Sequence, residues 1–128
     1  MSFYSYLLET YYKKCRDAIK KIAPNKLYLG SRLHDGALRK EAFSAAAKYC
    51  DVVSVNVYEK DVKEFNVRDE RDKPFFTEDV PFLVGEFDFG ALDRGKFFTG
   101  IGFAADQRNR GECLKYFIQS ALENTRCV

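Results

Sequence analysis

Residues 45–58 read AAAKYCDVVSVNVY, and this stretch decides the fold. It begins as the end of an alanine-rich helix, turns at 49–50, and continues as a strand over 51–58 (DVVSVNVY). The valines favour a pleated surface over a helix. Successive strand residues point to opposite faces. Val53, Val55 and Val57 therefore share one face, and Val52, Ser54, Asn56 and Tyr58 the other. The all-valine face suits helices packed over it, while the other turns polar toward its carboxyl end.

Outward from this stretch the alternation of helix and strand repeats. Residues 27–33 (LYLGSRL) read as an earlier strand, broken by Asp35-Gly36. A helix from Ala37 to Tyr49 joins the two strands, with Leu38, Ala42, Ala45, Ala46 and Tyr49 on one face. Before them, residues 3–22 carry the helical stripe Tyr4, Leu7, Leu8, Tyr11, Cys15, Ala18, Ile19 and Ile22. Ser2 can cap that helix. Glu9, Lys13, Asp17 and Lys21 alternate in sign four apart, which suits a solvated face. Pro24-Asn25 ends it.

Downstream, residues 59–73 are densely charged, with a short helix expected near Asp61–Phe65 and prolines at 74 and 81. Residues 82–87, beginning Phe82-Leu83-Val84, read as a third, buried strand. Residues 90–105 are a Gly-rich aromatic loop. Asp106 caps a last helix over 107–124, with Leu114, Phe117, Ile118, Ala121 and Leu122 facing inward. The order αβαβ(α)βα implies a parallel sheet covered by helices. The long connections follow the second and third strands, at the carboxyl ends where parallel α/β folds gather function.

The strand phases converge. Leu27, Leu29, Ser31 and Leu33 share a face, leaving Tyr28, Gly30, Arg32 and His34 on the other. Phe82, Val84, Glu86 and Asp88 share a face that turns from apolar to acidic. Three neighbouring strands would bring Arg32/His34, Asn56/Tyr58 and Glu86/Asp88 to one rim. Arg32 and Glu86 alone would make an ordinary ion network, but three strands in phase favour a site. The pattern suits the inside of a (β/α)₈ barrel. Such a barrel needs eight strands and roughly 250 residues, so an α/β partial TIM barrel is expected.

Composition narrows the function. The chain has 128 residues, enough for one core and too few for two. Its 21 basic and 19 acidic residues give +2, which is no nucleic-acid footprint. No apolar run is long enough to span a membrane, and the charged N-terminus does not read as a secretory signal. The 12 Phe and 8 Tyr exclude disorder. Cys15, Cys50, Cys113 and Cys127 lie too far apart for a CxxC pair, and His34 is the sole histidine, so no metal site is expected. The thiols read as reduced and packed, with any disulfide connectivity left open. The glycines form neither GxGxxG nor a Walker loop, so no cofactor is expected.

The stretch Gly85–Gly95, GEFDFGALDRG, resembles the nucleophile segment of the β-agarase group of glycoside hydrolases. NKLYLGSRLH (25–34) and AAAKYCDVVSVNVY (45–58) extend the resemblance in order over most of the chain. The resemblance implies a retaining clan-A (β/α)₈ barrel, of which this chain supplies about strands five to seven with their helices. It implies that Glu86, at the end of the seventh strand, is the nucleophile. The acid/base glutamate would end the fourth strand, before Met1, and the eighth strand would follow Val128. Asp88 stands where the family commonly has His, in a GEFHFG pattern, and an ionised Asp cannot donate to a sugar hydroxyl. DKPFFTEDVP (72–81) is longer than the usual approach to this strand.

Retaining hydrolysis needs an ionised carboxylate and a protonated one. Arg32 would favour the ionised form of Glu86, and Tyr58 would orient it. Arg32, His34, Asn56, Tyr58 and Asp88 are the candidate substrate-binding residues. Asp93-Arg94 reads as a local ion pair. The expected partner is an oligo- or polysaccharide of agarose type, with no nucleic acid and no membrane. Open barrel edges imply self-association, and the chain alone is expected to be inactive. The alternatives are a non-catalytic carbohydrate-binding or degenerate barrel module, and a flavodoxin-like phosphate binder. The latter is disfavoured because no Gly-rich turn follows the first strand.

Overall fold

A computed structural model describes residues 2–34, 39–63, 65 and 79–128. Helix α1 spans Phe3–Ile22, and the Ser2 side chain caps it by accepting from the Ser5 N–H at 3.1 Å. Lys20 and Lys21 in its last turn complement the helix dipole. Helix α2 spans Lys40–Tyr49. It buries Ala42, Phe43, Ala45 and Ala46, and its small side chains let Phe43 reach the core centre. Strands β1 (Val53–Asn56) and β2 (Phe82–Glu86) pair in parallel, and helix α3 (Gln107–Glu123) follows. As expected, Asp106 caps α3, accepting from the Asn109 N–H at 2.7 Å. No helix among the described residues is long and apolar enough to cross a membrane.

Two single parallel bridges widen the sheet, Leu33 to Val55 on one side and Cys127 to Phe82 on the other. Four parallel segments thus lie side by side in chain order. Val53, Val55, Val57 and Phe82 are buried in one apolar cluster with the inner residues of α2. The valine face therefore lies inside, as its alternation requires.

Several expectations need correction. The 27–33 stretch is not a continuous strand: only Leu33 bridges, although the Asp51 N–H also donates to the Tyr28 carbonyl at 2.9 Å. Its face assignment also changes, because Tyr28 and Leu33 are buried while Leu27 and Leu29 are exposed. Gly30 lies between them at φ +65°, and a left-handed residue breaks the two-residue alternation. A β-carbon there would run into the Cys50 sulfur and approach the Tyr12 ring to 2.8 Å. Cys50 is packed tightly enough that burial pushes its thiol up to about 12.

In α1 the stripe facing the core is Leu8, Tyr12 and Cys15, while Tyr4, Leu7, Tyr11, Ile19 and Ile22 are exposed. Lys13 and Asp17 do pair along the solvated face, but Glu9 leaves it to meet Lys48 of α2 at 2.6 Å. Leu114, Ile118 and Leu122 of α3 are exposed, and Phe117 and Ser120 are its buried residues. Ser120 is there for its hydroxyl, which accepts from the buried Val62 N–H at 2.9 Å. The short helix expected near Asp61–Phe65 is not seen at 61–63 or 65, where the Phe65 N–H donates to the Val62 carbonyl at 3.1 Å, and residue 64 lies outside the described residues. Strand β1 is shorter than 51–58, and α2 begins at Lys40, with Leu38 outside the described residues. All four cysteines are free thiols.

Candidate functional site

The rim forms because β2 is irregular. Val55 pairs with Val84, but Asn56 pairs with Glu86, so Gly85 is an extra residue in β2. Such a bulge re-aims the side chain that follows it. Simple alternation would put Glu86 on the face of Phe82 and Val84, which lies in the core. Opposite Asn56 it instead joins Arg32 and Tyr58. A β-carbon at Gly85 would sit 2.5 Å from Arg32 Cδ and 3.0 Å from Ser54 Oγ. Glycine thus leaves room for the Arg32 side chain to cross the strand.

Arg32 donates to the Gly85 carbonyl at 3.2 Å and pairs with Glu86 Oε2 at 3.3 Å. Tyr58 donates its phenolic hydrogen to the other oxygen, Oε1. Asn56 Nδ2 in turn donates to the Tyr58 oxygen at 3.4 Å. Both oxygens of Glu86 therefore accept from donors on two neighbouring segments. The Glu86 side chain is still 44% exposed, so it remains open to a ligand. Asn56 is buried, and among the described residues its Oδ1 has no hydrogen-bond partner. A buried acceptor without a donor carries a desolvation cost.

The two remaining candidates lie apart from this network. His34 is exposed at the end of its segment, and among the described residues no hydrogen bond or ion pair ties it to Glu86, Asn56 or Tyr58. The Asp88 carboxylate turns to the following loop, where it accepts from the Ile101 N–H at 2.9 Å. The bare backbone of Gly100 admits it there, at φ +87°. Asp93 does not form the expected ion pair with Arg94. It accepts from the Gln107 N–H at 3.0 Å, which holds its carboxyl below the usual carboxylate range.

Sequence reasoning missed Gly85, although a glycine within a strand is itself a bulge signal. It also missed the aromatic brace behind the site. Phe87 stacks on Phe117 of α3 with ring centroids 4.7 Å apart, and Phe89 meets the same ring at 5.8 Å. This ties the carboxyl end of β2 to the helix that follows. Among the described residues no group of His, Cys, Asp and Glu is arranged to hold a metal ion.

Parallel segments that carry a carboxylate, a guanidinium and a phenol to one rim have the layout of an α/β enzyme site. Known proteins narrow that class. No family model matches the chain. It is 36% identical over 114 residues to Beta-agarase B of Vibrio sp. (strain JT0107), and 36% identical over 110 residues to Beta-agarase A of the same strain. These alignments take in 89% and 86% of this chain but only 12% and 11% of those proteins. Among solved structures, an exo-beta-agarase superposes with a TM-score of 0.83 at 37% identity, covering 96% of this chain and 16% of that one. A second agarase superposes at 0.81 and 32% identity, covering 97% of this chain and 18% of that one. In sequence and backbone the chain is agarase-like. It corresponds to one part of these much longer proteins.

Proposed function

We propose that the chain is the part of a retaining, agarose-cleaving glycoside hydrolase that carries the nucleophile, Glu86. The observation that carries this reading is the double engagement of an accessible carboxylate at the end of a parallel strand. Two donors on opposite oxygens fix its orientation for attack. Glu86 would attack the anomeric carbon as the glycosidic bond breaks. A second, protonated carboxyl, about 5–5.5 Å away in retaining enzymes, would give its proton to the departing oxygen. That group is assigned outside these residues, on a preceding strand of a (β/α)₈ barrel. Water would then release the sugar from Glu86. Arg32 and Tyr58 hold the nucleophile, and Asn56 offers its unpartnered Oδ1 to a sugar hydroxyl. His34 and Asp88 are proposed as outer sugar contacts, Asp88 through the loop it anchors.

A binding-only module is the second reading. The test is a segment swap: this chain replaces the matching segment of a β-agarase. The enzyme reading predicts agarose hydrolysis by the swapped protein, and a loss of roughly a thousandfold or more with Glu86→Gln. Equal turnover with and without that substitution would refute it. Sugar affinity with no turnover would favour the binding module.

A further inference from the structure

Beyond Glu86 the loop after β2 folds against the first turns of α3, and two clefts open between them. One, of about 380 Å³, is lined among others by Asp88, Arg94, Lys96, Phe98, Gln107 and Arg110. Its neighbour, of about 310 Å³, shares Asp88, Gln107 and Arg110 with it.

The larger cleft carries three cations, Arg94, Lys96 and Arg110, against one lining carboxylate, Asp88. Among the described residues, Arg94, Lys96 and Arg110 form no ion pair. Arg110 reaches only Gln107 Oε1, at 3.4 Å. The carboxylates nearby are turned to other work: Asp88 to the Ile101 N–H, Asp93 to Gln107, Asp106 to the Asn109 N–H. Asp93 and Asp106 thereby satisfy N–H groups at the start of α3, so any anion attraction rests on the side chains. The Phe98 ring lines the same space and is 78% exposed. An apolar ring face suits the C–H face of a pyranose, and guanidinium forks suit planar or tetrahedral oxyanions.

We propose that this cleft is a saccharide subsite for a sugar residue bearing an anionic substituent, a sulfate ester or a carboxylate. The proposal rests on the saccharide reading above and narrows it to an agar-type galactan whose sugar at this subsite carries the anionic group. Phe98 stacks on the ring, and Arg94, Lys96 and Arg110 surround the charged group.

Calorimetric titration of the chain tests this with four probes. They are a neutral agaro-oligosaccharide, sulfated and uronate-bearing oligosaccharides of the same length, and inorganic sulfate. At low salt a charged sugar should bind about tenfold more tightly than the neutral one, the sum of three modest solvent-exposed pairs. The advantage should vanish at high salt. It should also vanish in a triple Arg94→Gln, Lys96→Gln, Arg110→Gln variant whose affinity for the neutral sugar is unchanged. All three side chains are exposed, and Lys96→Glu is a gentler second variant with the same expected direction. Preference for the sulfated or the uronate probe would support the proposal and identify the substituent. Equal affinity for neutral and charged sugars would overturn it and leave the saccharide reading standing. No binding of any oligosaccharide would overturn both. Inorganic sulfate binding as tightly as the sulfated sugar would overturn it in favour of a bare anion site.

Discussion

Glu86 depends on two residues of different kinds. Arg32 supplies charge from a half-exposed side chain, whereas Tyr58 supplies a neutral donor from two residues past the end of β1. Tyr58→Phe keeps the ring and removes one charge-assisted hydrogen bond. In the swapped agarase, kcat should fall by roughly ten- to a hundredfold, because such a bond contributes about 1.5–3 kcal/mol. Steady-state kinetics with the melting temperature as control would show it, and an unchanged kcat would remove Tyr58 from the site. A second carboxylate matters for stability. Asp51 accepts from Lys20 at 2.7 Å and from the Tyr28 N–H at 2.7 Å, and these bonds, Lys20 first, hold its carboxyl below the usual range. A lowered folded-state value adds stability that is present above the unfolded value, about 4, and is lost as pH falls through the folded one. Asp51→Asn should therefore cost about 1–2 kcal/mol at neutral pH. Its melting temperature should also drop less on acidification below about pH 4. Parallel acid-melting curves for the two proteins would contradict this.

At the scale of elements, the three helical stretches and the two paired strands were legible because their signals are local: a cap, a periodic stripe, a run of valines; burial was not, since β1 is buried throughout and β2 only at Phe82. What was not legible follows from departures from strict period. Gly30 and Gly85 each break the alternation of a parallel segment: counting fails for Leu27, Tyr28 and Leu29 before Gly30, while Leu33 beyond it lies in the core as expected. The rim was expected on the right side of the sheet for Asn56 and Arg32. Glu86 reaches it only because the bulge undoes a miscounted phase. Helix stripes failed differently. In α1 and α3 the apolar residues spread wider than the face that packs, and packing chose Tyr12 and Ser120 over Leu7 and Leu122. Gly30 gives the sharpest test at this scale. Gly30→Ala must strain a left-handed backbone and push on Cys50 and Tyr12. It should destabilise the chain by about 2–4 kcal/mol, read from chemical denaturation. A change under about 0.5 kcal/mol, the size of an ordinary surface substitution, would mean that Gly30 does not shape the segment.

As a whole the molecule is a run of parallel segments, with Leu33 and Cys127 each bridged singly at its flanks. Large apolar side chains such as Phe97, Ile101 and Phe103 lie exposed on the loop beyond β2. Exposed strand edges and apolar patches invite pairing. Sedimentation of the isolated chain is accordingly expected to show concentration-dependent association, and a sharp monomer boundary with cooperative melting would count against an open barrel segment. Agarase likeness was readable from GEFDFGALDRG because that segment joins the carboxylate to its bulge and loop. The roles of His34 and Asp88 were not, since each depends on where a loop turns. The central claim is that Glu86 is a nucleophile, and covalent trapping tests it most directly. The swapped agarase would be treated with a 2-fluoro agaro-oligosaccharide carrying a good leaving group, then digested and mapped by mass spectrometry. The account predicts one sugar adduct, on Glu86, absent from Glu86→Gln. An adduct on another carboxylate, in a protein that still cleaves agarose, would contradict it.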